Sequence, residues 1–371
     1  MPRTLDLLEP NNLRPLFDAY HSAREIALDL RDDVSFARTL WRSLIRTPAQ
    51  PPYVPVFGKL HPFATPALVG KRTAVVTSGG SGATSAVVGV QRAFEEAGIE
   101  PVMISSCSGS VLFASLWACG LSSAEIARFW LELPTRDYID PNWSALLRAP
   151  FRRFRGTTGL LRGEAIEHAF RHRLGDRTLG ETKIPFAAVV WNIDENRVEF
   201  LSSHRTPHLP VAHVARIAIS IPIMVEPVQI GSTWYADGGI VDIFPTTPLA
   251  DVEPFDLVIG TNSYLPERFA GMSIGDWYHE PWSILRASGQ LRYAVYLELA
   301  REHVDHLAGR LELLHPVAHD EVRGAHFYES FLDRTEWPRY MRAGHAVARE
   351  ALQRHGLVRV GNAYAPAERV A

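Results

Sequence analysis

Lysine is almost absent: Lys59, Lys71 and Lys183 are the whole supply in a chain whose Lys and Arg together number 38. This bias toward arginine reads as genomic base composition rather than as chemistry. A basic excess is lacking too. The formal net charge is −3 over 371 residues, which leaves nothing to neutralise a phosphate backbone and argues against a dedicated nucleic-acid binder. Cysteine is limited to Cys107 and Cys119. Along a helix these two stand about 18 Å apart, too far for a disulfide, and such sparing use suits a reducing compartment. Long apolar runs are missing as well. The longest, Val111 to Leu121, contains Ser115 and Gly120 and is too short to span a bilayer. The N-terminus lacks the charged-then-apolar pattern of a secretory signal. The expectation is a soluble, cytoplasmic protein, with peripheral membrane contact and oligomeric state left open.

What is present is an ordinary globular composition, 46% hydrophobic and 21% charged, which excludes disorder and fibrous repeats. Residues 1–46 place Leu13, Leu16, Phe17 and Tyr20 at helical spacing. Residues 47–70 hold six prolines and read as an extended connector. The texture then changes. The spacing predicts a strand at Arg72–Thr77, a helix over 84–97 ended by Gly98, a strand at Pro101–Ser105 and a helix over Val111–Cys119. This is the rhythm of a parallel α/β sheet. Residues 122–180 read as mainly helical and 184–202 as two strands around a turn. A helix is expected over 211–221, a hairpin over 223–236, a buried strand at Phe255–Thr261 and several helices over 280–355.

Three segments can carry chemistry. Ser78–Gly82 (SGGSG) lies between a strand and a helix. Its backbone amides can hold a phosphate or the oxyanion of an acyl-transfer intermediate, or it is a plain turn. Ser106–Ser110 (SCSGS) occupies a second strand-to-helix turn, where Ser108 is either a nucleophile raised above the sheet edge or part of a helix cap. Cys107 is a rival nucleophile that needs a nearby base. Asp237-Gly238-Gly239 closes the hairpin. Its carboxylate is either a general base freed for close approach or part of an ordinary turn.

Taken in order, these segments resemble the patatin-like phospholipase family over about residues 72–250. The likeness is strongest across Ala74–Ala118 and Ala215–Pro248, where Ile221-Pro222, Glu226-Pro227-Val228 and Asp237-Gly238-Gly239 followed by Asp242 and Pro245 match the family texture. The resemblance implies a three-layer α/β/α sandwich with a mostly parallel central sheet and extra N- and C-terminal helices. It implies a Ser–Asp dyad of Ser108 as nucleophile and Asp237 as base, and an oxyanion hole of the Gly79, Gly80 and Ser81 amides. The activity implied is hydrolysis of lipid carboxylic esters through an acyl-enzyme, with a lipid or other acyl ester as substrate and no cofactor or metal. Three parts are then expected: an N-terminal extension and connector (1–70), the catalytic domain (72–250), and a final strand with a C-terminal helical region on the same core (251–371).

The chain departs from the family pattern G-G-G-x-[RK]-G. Ser81 stands at the third glycine, Ala83 at the basic position and Thr84 at the last glycine; Ser106 and Ser110 replace the glycines of G-x-S-x-G. A side chain at 81 fits only if the loop keeps a negative φ there. These departures leave a catalytically silent lipid-binding relative as an alternative. A nucleotide-binding α/β protein is a further one, because Gly80–Ser85 resembles a degraded G-x-G-x-x-G. The acyl groove is expected between the N-terminal helices and the aromatic segment Trp277, Tyr278 and Trp282. Phe151 and Phe154 alternate with Arg148, Arg152, Arg153 and Arg155, either a solvated face or a surface for anionic membrane. The pairs His168/His172, His315/His319 and His303/His306 have helical spacing but no further ligand nearby in sequence. His204, His208 and His213 are potential third members of a catalytic set.

Overall fold

The computed structural model describes residues 53–148, 151, 158–265, 298–307, 309–322, 325–360 and 363–365. The helices expected over 1–46 and the aromatic segment around Trp277 lie outside these residues.

The first βαβ unit forms where the sequence pattern predicts it. Strand β1 (Thr73–Thr77) is buried at every position. A Gly-rich loop and a 3₁₀ turn follow, then helix α1 (Ala86–Ala97), which Gly98 ends in the left-handed conformation with φ 67°. Strand β2 is Ile104–Ser106, slightly later than the expected run. A second turn leads into α2 (Val111–Ala118). Helix α3 (Ser123–Glu132) starts from a capping box in which Ser122 and Glu125 satisfy each other's orphan groups. Three elements follow in order: α4 (Trp143–Arg148), β3 (Gly159–Leu161) and α5 (Glu164–Leu174).

The expected hairpin over 184–202 is β4 (Phe186–Asn192) and β5 (Arg197–Ser202). Next come α6 (Val211–Ala218), β6 (Ile223–Val225), β7 (Val228–Ile230), β8 (Thr233–Asp237) and β9 (Leu257–Thr261). A helical segment at 298–306 leads to β10 (Leu311–Leu314), α7 (Ala325–Leu332) and α8 (Trp337–His355). Strands β3 and β6 pair with each other outside the main sheet, and β10 extends the main sheet beside β9. Strands β3 and β10 fall in stretches read as helical, whereas β6 lies within the expected hairpin over 223–236 but pairs with β3 instead, leaving β7 and β8 to form the hairpin.

The main sheet has eight strands in the order β10-β9-β1-β2-β4-β8-β7, with β5 paired to β4 off that path. The five neighbours from β10 to β4 are parallel. Both faces are covered, so side chains alternate between two cores. Val75, Ile104, Ala188 and Ile259 point to the core under α1, α2 and α6. Val76, Met103, Ala187 and Val258 point to the other core, which Ala300 of the helical segment helps to fill. Helices on either side of a largely parallel sheet make the three-layer α/β/α sandwich. Helix α8 closes the first layer by crossing α1 where glycines leave no side chain between backbones. A Cβ at Gly89 would lie 1.8 Å from the Met341 carbonyl oxygen, and one at Gly344 would lie 2.1 Å from that of Ala86. Beside this crossing, the buried Glu96 carboxylate accepts from Arg92, His345 and Arg349.

Candidate active site

Strand β4 brings the expected dyad together. Strand β5 runs along Ala187–Asn192 and occupies one of its edges. The other edge must therefore hold both remaining partners. Strand β2 pairs with Phe186–Ala188 and runs parallel, ending with Ser106 opposite Ala188. Strand β8 is antiparallel, ending with Asp237 opposite Val190. The two strand ends meet head-on, offset by two residues of β4, about 7 Å. One tight turn beyond Ser106 covers that gap.

The turn requires an unusual backbone. Ser108 has φ 51°, a left-handed value that non-glycine residues seldom adopt. In that conformation its Oγ donates to Asp237 Oδ2 at 2.6 Å. Asp237 Oδ1 accepts the Gly239 amide at 2.8 Å, and the Asp237 amide donates to the Ser220 carbonyl at 3.0 Å. Asp237 is buried, and burial raises its pKa to about 7 against the smaller lowering effects of the Ser108 hydroxyl and the Gly239 amide. A carboxylate poised there can take a proton from a hydroxyl at neutral pH. Cys107 turns the other way. Its Sγ lies under Gly79 and Gly239, where Cβ atoms would approach it to 2.9 and 2.8 Å. Burial first, then the charges of Asp237 and Asp242, push its thiol well above the ordinary range, which withdraws it as a nucleophile. Both cysteines are free.

The serines that replace family glycines have partners of their own. Ser106 Oγ accepts from Thr77 Oγ1 at 2.7 Å, and Ser110 Oγ donates to the Ser78 carbonyl at 2.6 Å. They stitch the elbow to β1 and to the Gly-rich loop. Ser81 sits at φ −103°, so its side chain meets no left-handed penalty, while Gly80 carries φ 156°. The Thr84 hydroxyl donates to the Ser81 carbonyl at 2.5 Å, and Ala83 is buried.

The loop amides are not equivalent. Gly79 N–H donates to the Ile243 carbonyl at 2.9 Å, so this member of the expected trio is already engaged. Gly82 N–H donates to Ser330 Oγ at 3.2 Å. A Cβ at Gly82 would lie 1.9 Å from the Ser330 carbonyl oxygen, so α7 occupies the space a pyrophosphate needs and the nucleotide alternative loses its site. Gly80 and Ser81 face a pocket beside Ser108 and Gly109.

That pocket is a cavity of about 80 Å³ beneath an open mouth. Its walls were not foreseen. Tyr138, Ile139 and Asp140 line it, with Leu161 of β3 and Gly163 and Ile166 at the start of α5. Ile219, Ile221, Met224 and Val225 come from the segment between α6 and β8, and Phe327, Phe331 and Leu332 from α7. The Asp140 carboxylate accepts the Gly163 and Ala165 amides at 2.7 and 2.8 Å, so the remaining lining is almost wholly apolar. The Tyr138 hydroxyl donates to the Leu332 carbonyl at 3.3 Å and ties α7 to this wall. The apolar run Ile217–Val225 (IAISIPIMV) was the available signal; the contribution of α7 is tertiary.

Sequence reasoning names Asp242 and His303 but does not bring them together. Asp242 Oδ1 is buried without a hydrogen-bond partner and lies 3.5 Å from His303 Nδ1, which donates to the Phe244 carbonyl at 2.7 Å. Burial raises the Asp242 carboxyl to about 6 despite His303 and the Phe244 amide. Three of the other histidines singled out in the sequence have partners away from the dyad: His213 pairs with Glu167, His315 with Asn262 and His319 with the Tyr264 carbonyl. Among the described residues no group of three or more His, Cys, Asp or Glu could hold a metal ion. No helix among them is long and apolar enough to cross a membrane.

An uncharacterized NTE family protein of Mycobacterium bovis is 27% identical over 194 residues, covering 52% of this chain and 49% of the relative. A Mycobacterium tuberculosis protein of the same description matches to the same extent. The chain spans about half the length of these curated relatives. Among solved structures, VipD from Legionella pneumophila aligns over 77% of this chain and 67% of its own, with a TM-score of 0.45 and 14% identity. Human GIVD cytosolic phospholipase A2 aligns over 90% and 64%, with a TM-score of 0.39 and 11% identity. Residues 75–250, a span that holds the Gly-rich loop, Ser108 and Asp237, match the family model of patatin-like phospholipases.

Proposed function

We propose that this protein is a serine acyl hydrolase that cleaves carboxylic ester bonds of lipids through Ser108 and Asp237. The observation that carries the reading is the 2.6 Å contact of Ser108 Oγ with the buried Asp237 carboxylate, beside a pocket lined almost wholly by apolar side chains. In the first step Asp237 takes the Ser108 proton as Oγ attacks the ester carbonyl. The amides of Gly80, Ser81 and Gly109 receive the oxyanion. The intermediate collapses to an acyl-enzyme, and the leaving alcohol takes the proton from Asp237. Water then attacks, giving its proton to Asp237; the acid departs and the proton returns to Ser108.

The test is hydrolysis of a p-nitrophenyl ester chain-length series by the wild type, Ser108→Ala and Asp237→Asn. The expected result is turnover by the wild type, highest with chains long enough to fill the pocket, and loss on the order of 10⁴-fold or more in either variant. Full activity in Ser108→Ala would remove the assignment. A wild type that binds lipid without turnover would make the chain a silent relative.

A further inference from the structure

Helix α4 and Phe151, three residues beyond it, expose three large apolar side chains. Trp143 is 45% exposed, Leu147 71% and Phe151 90%. Trp143 and Leu147 stand one turn apart on the same face of the helix, and Phe151 follows at the same interval in sequence. Soluble surfaces scatter such residues singly; grouped ones mark an interaction site. Cations accompany them. Arg148 occupies the last turn of α4. Arg162 lies alongside, its amide donating to the Asp140 carbonyl at 2.9 Å. Neither arginine enters an ion pair among the described residues. Two nearby acids are engaged by the fold, Asp140 capping α5 and Glu226 accepting from Asn142 at 2.5 Å, while Asp137 and Glu164 are exposed. The sequence continues from Phe151 as FRRFR.

The patch adjoins the pocket. Tyr138, Ile139, Asp140 and Leu161 line the pocket, Pro141 bridges to Leu161, and Trp143 begins α4 two residues later. A two-fold contact between copies would set this basic face against itself. An anionic lipid surface complements it in both respects, accepting Trp, Leu and Phe below the headgroups and arginine among them.

We propose that Trp143, Leu147, Arg148 and Phe151 form a docking surface for an anionic lipid bilayer, placing the pocket beside the lipid. Its purpose rests on the lipid-ester reading, whereas its test does not. The full chain carrying Ser108→Ala, which leaves vesicles intact, is sedimented with phosphatidylcholine vesicles with and without phosphatidylserine. Binding is expected only with phosphatidylserine and falls as salt rises. Leu147→Ser with Phe151→Ser lowers the partition constant about tenfold or more, and Arg148→Gln lowers it about fivefold. In the otherwise wild-type chain, the double variant keeps its hydrolysis of a soluble short-chain ester, so failure of catalysis and failure of docking are read separately. The proposal is overturned by absence of binding at low salt, by binding that ignores both substitutions, or by a dimer that the double variant dissolves.

Discussion

Asp237 ends strand β8 and Asp242 lies in the loop that follows; both are almost fully buried, and they have opposite surroundings. Asp237 has a donor on each oxygen, the Ser108 hydroxyl and the Gly239 amide. Asp242 leaves Oδ1 without one and has His303 only at 3.5 Å. Burial raises both carboxyls, to about 7 and about 6. An elevated pKa alone therefore does not mark the reactive group. What separates them is position: Asp237 reaches a hydroxyl that opens on a pocket, while Asp242 belongs to the segment that braces the site from the far side of the sheet. The Ile243 carbonyl there receives the Gly79 amide, and the Pro245 carbonyl receives Ser105 Oγ at 2.6 Å.

The widest separation is expected in rate. Asp237→Asn lowers kcat/KM for a soluble ester on the order of 10⁴-fold, and Asp242→Asn by less than about tenfold, because Asn keeps an acceptor for the Phe244 amide. Equal losses in steady-state kinetics would erase the distinction. A second expectation concerns pH. Asp237 works only when ionised, so wild-type kcat/KM is flat above about pH 7 and falls about tenfold per unit below it. Asp242→Asn leaves that midpoint within about half a unit; a larger displacement would make Asp242 part of the titrating unit.

Stability gives a smaller and oppositely directed effect. The folded pKa of Asp242 lies above that of an unfolded aspartate. Below about pH 4 both states are protonated and the group is neutral to stability. As pH rises toward 6 the unfolded state ionises first, and the fold loses stability that it does not regain. Asp242→Asn is therefore expected to stabilise the protein by about 2 kcal/mol at pH 8, with the gain fading toward pH 4, as read from urea midpoints at the two pH values. Smallest is the elbow stitch. Ser110→Ala removes the bond to the Ser78 carbonyl and costs about 1 kcal/mol, with the Ser108–Asp237 contact retained; a shift of that size in urea midpoint checks it.

Much of this was legible in sequence because it is local. The strand at 73–77, the helix ended by Gly98 and the small-residue turns around Ser81 and Ser108 each follow from residues close in the chain. The hairpin of β4 and β5 followed from a turn between β-branched runs. What escaped was set by distant partners. Strands β3 and β6 are three residues each and exist only by pairing with one another. Strand β10 reads as helix until β9 supplies its ladder. The Gly79 amide looks like an oxyanion donor until Ile243 is placed beneath it, and the pocket wall depends on α7, more than 200 residues from Ser108.

The central claim is that Ser108 is a nucleophile activated by Asp237. Intact-mass measurement after reaction with an alkyl fluorophosphonate, followed by peptide mapping, tests it without assuming any substrate. The account predicts one adduct on Ser108, none in Ser108→Ala, and slow labelling in Asp237→Asn. An unlabelled wild type, or an adduct that persists in Ser108→Ala, would contradict it.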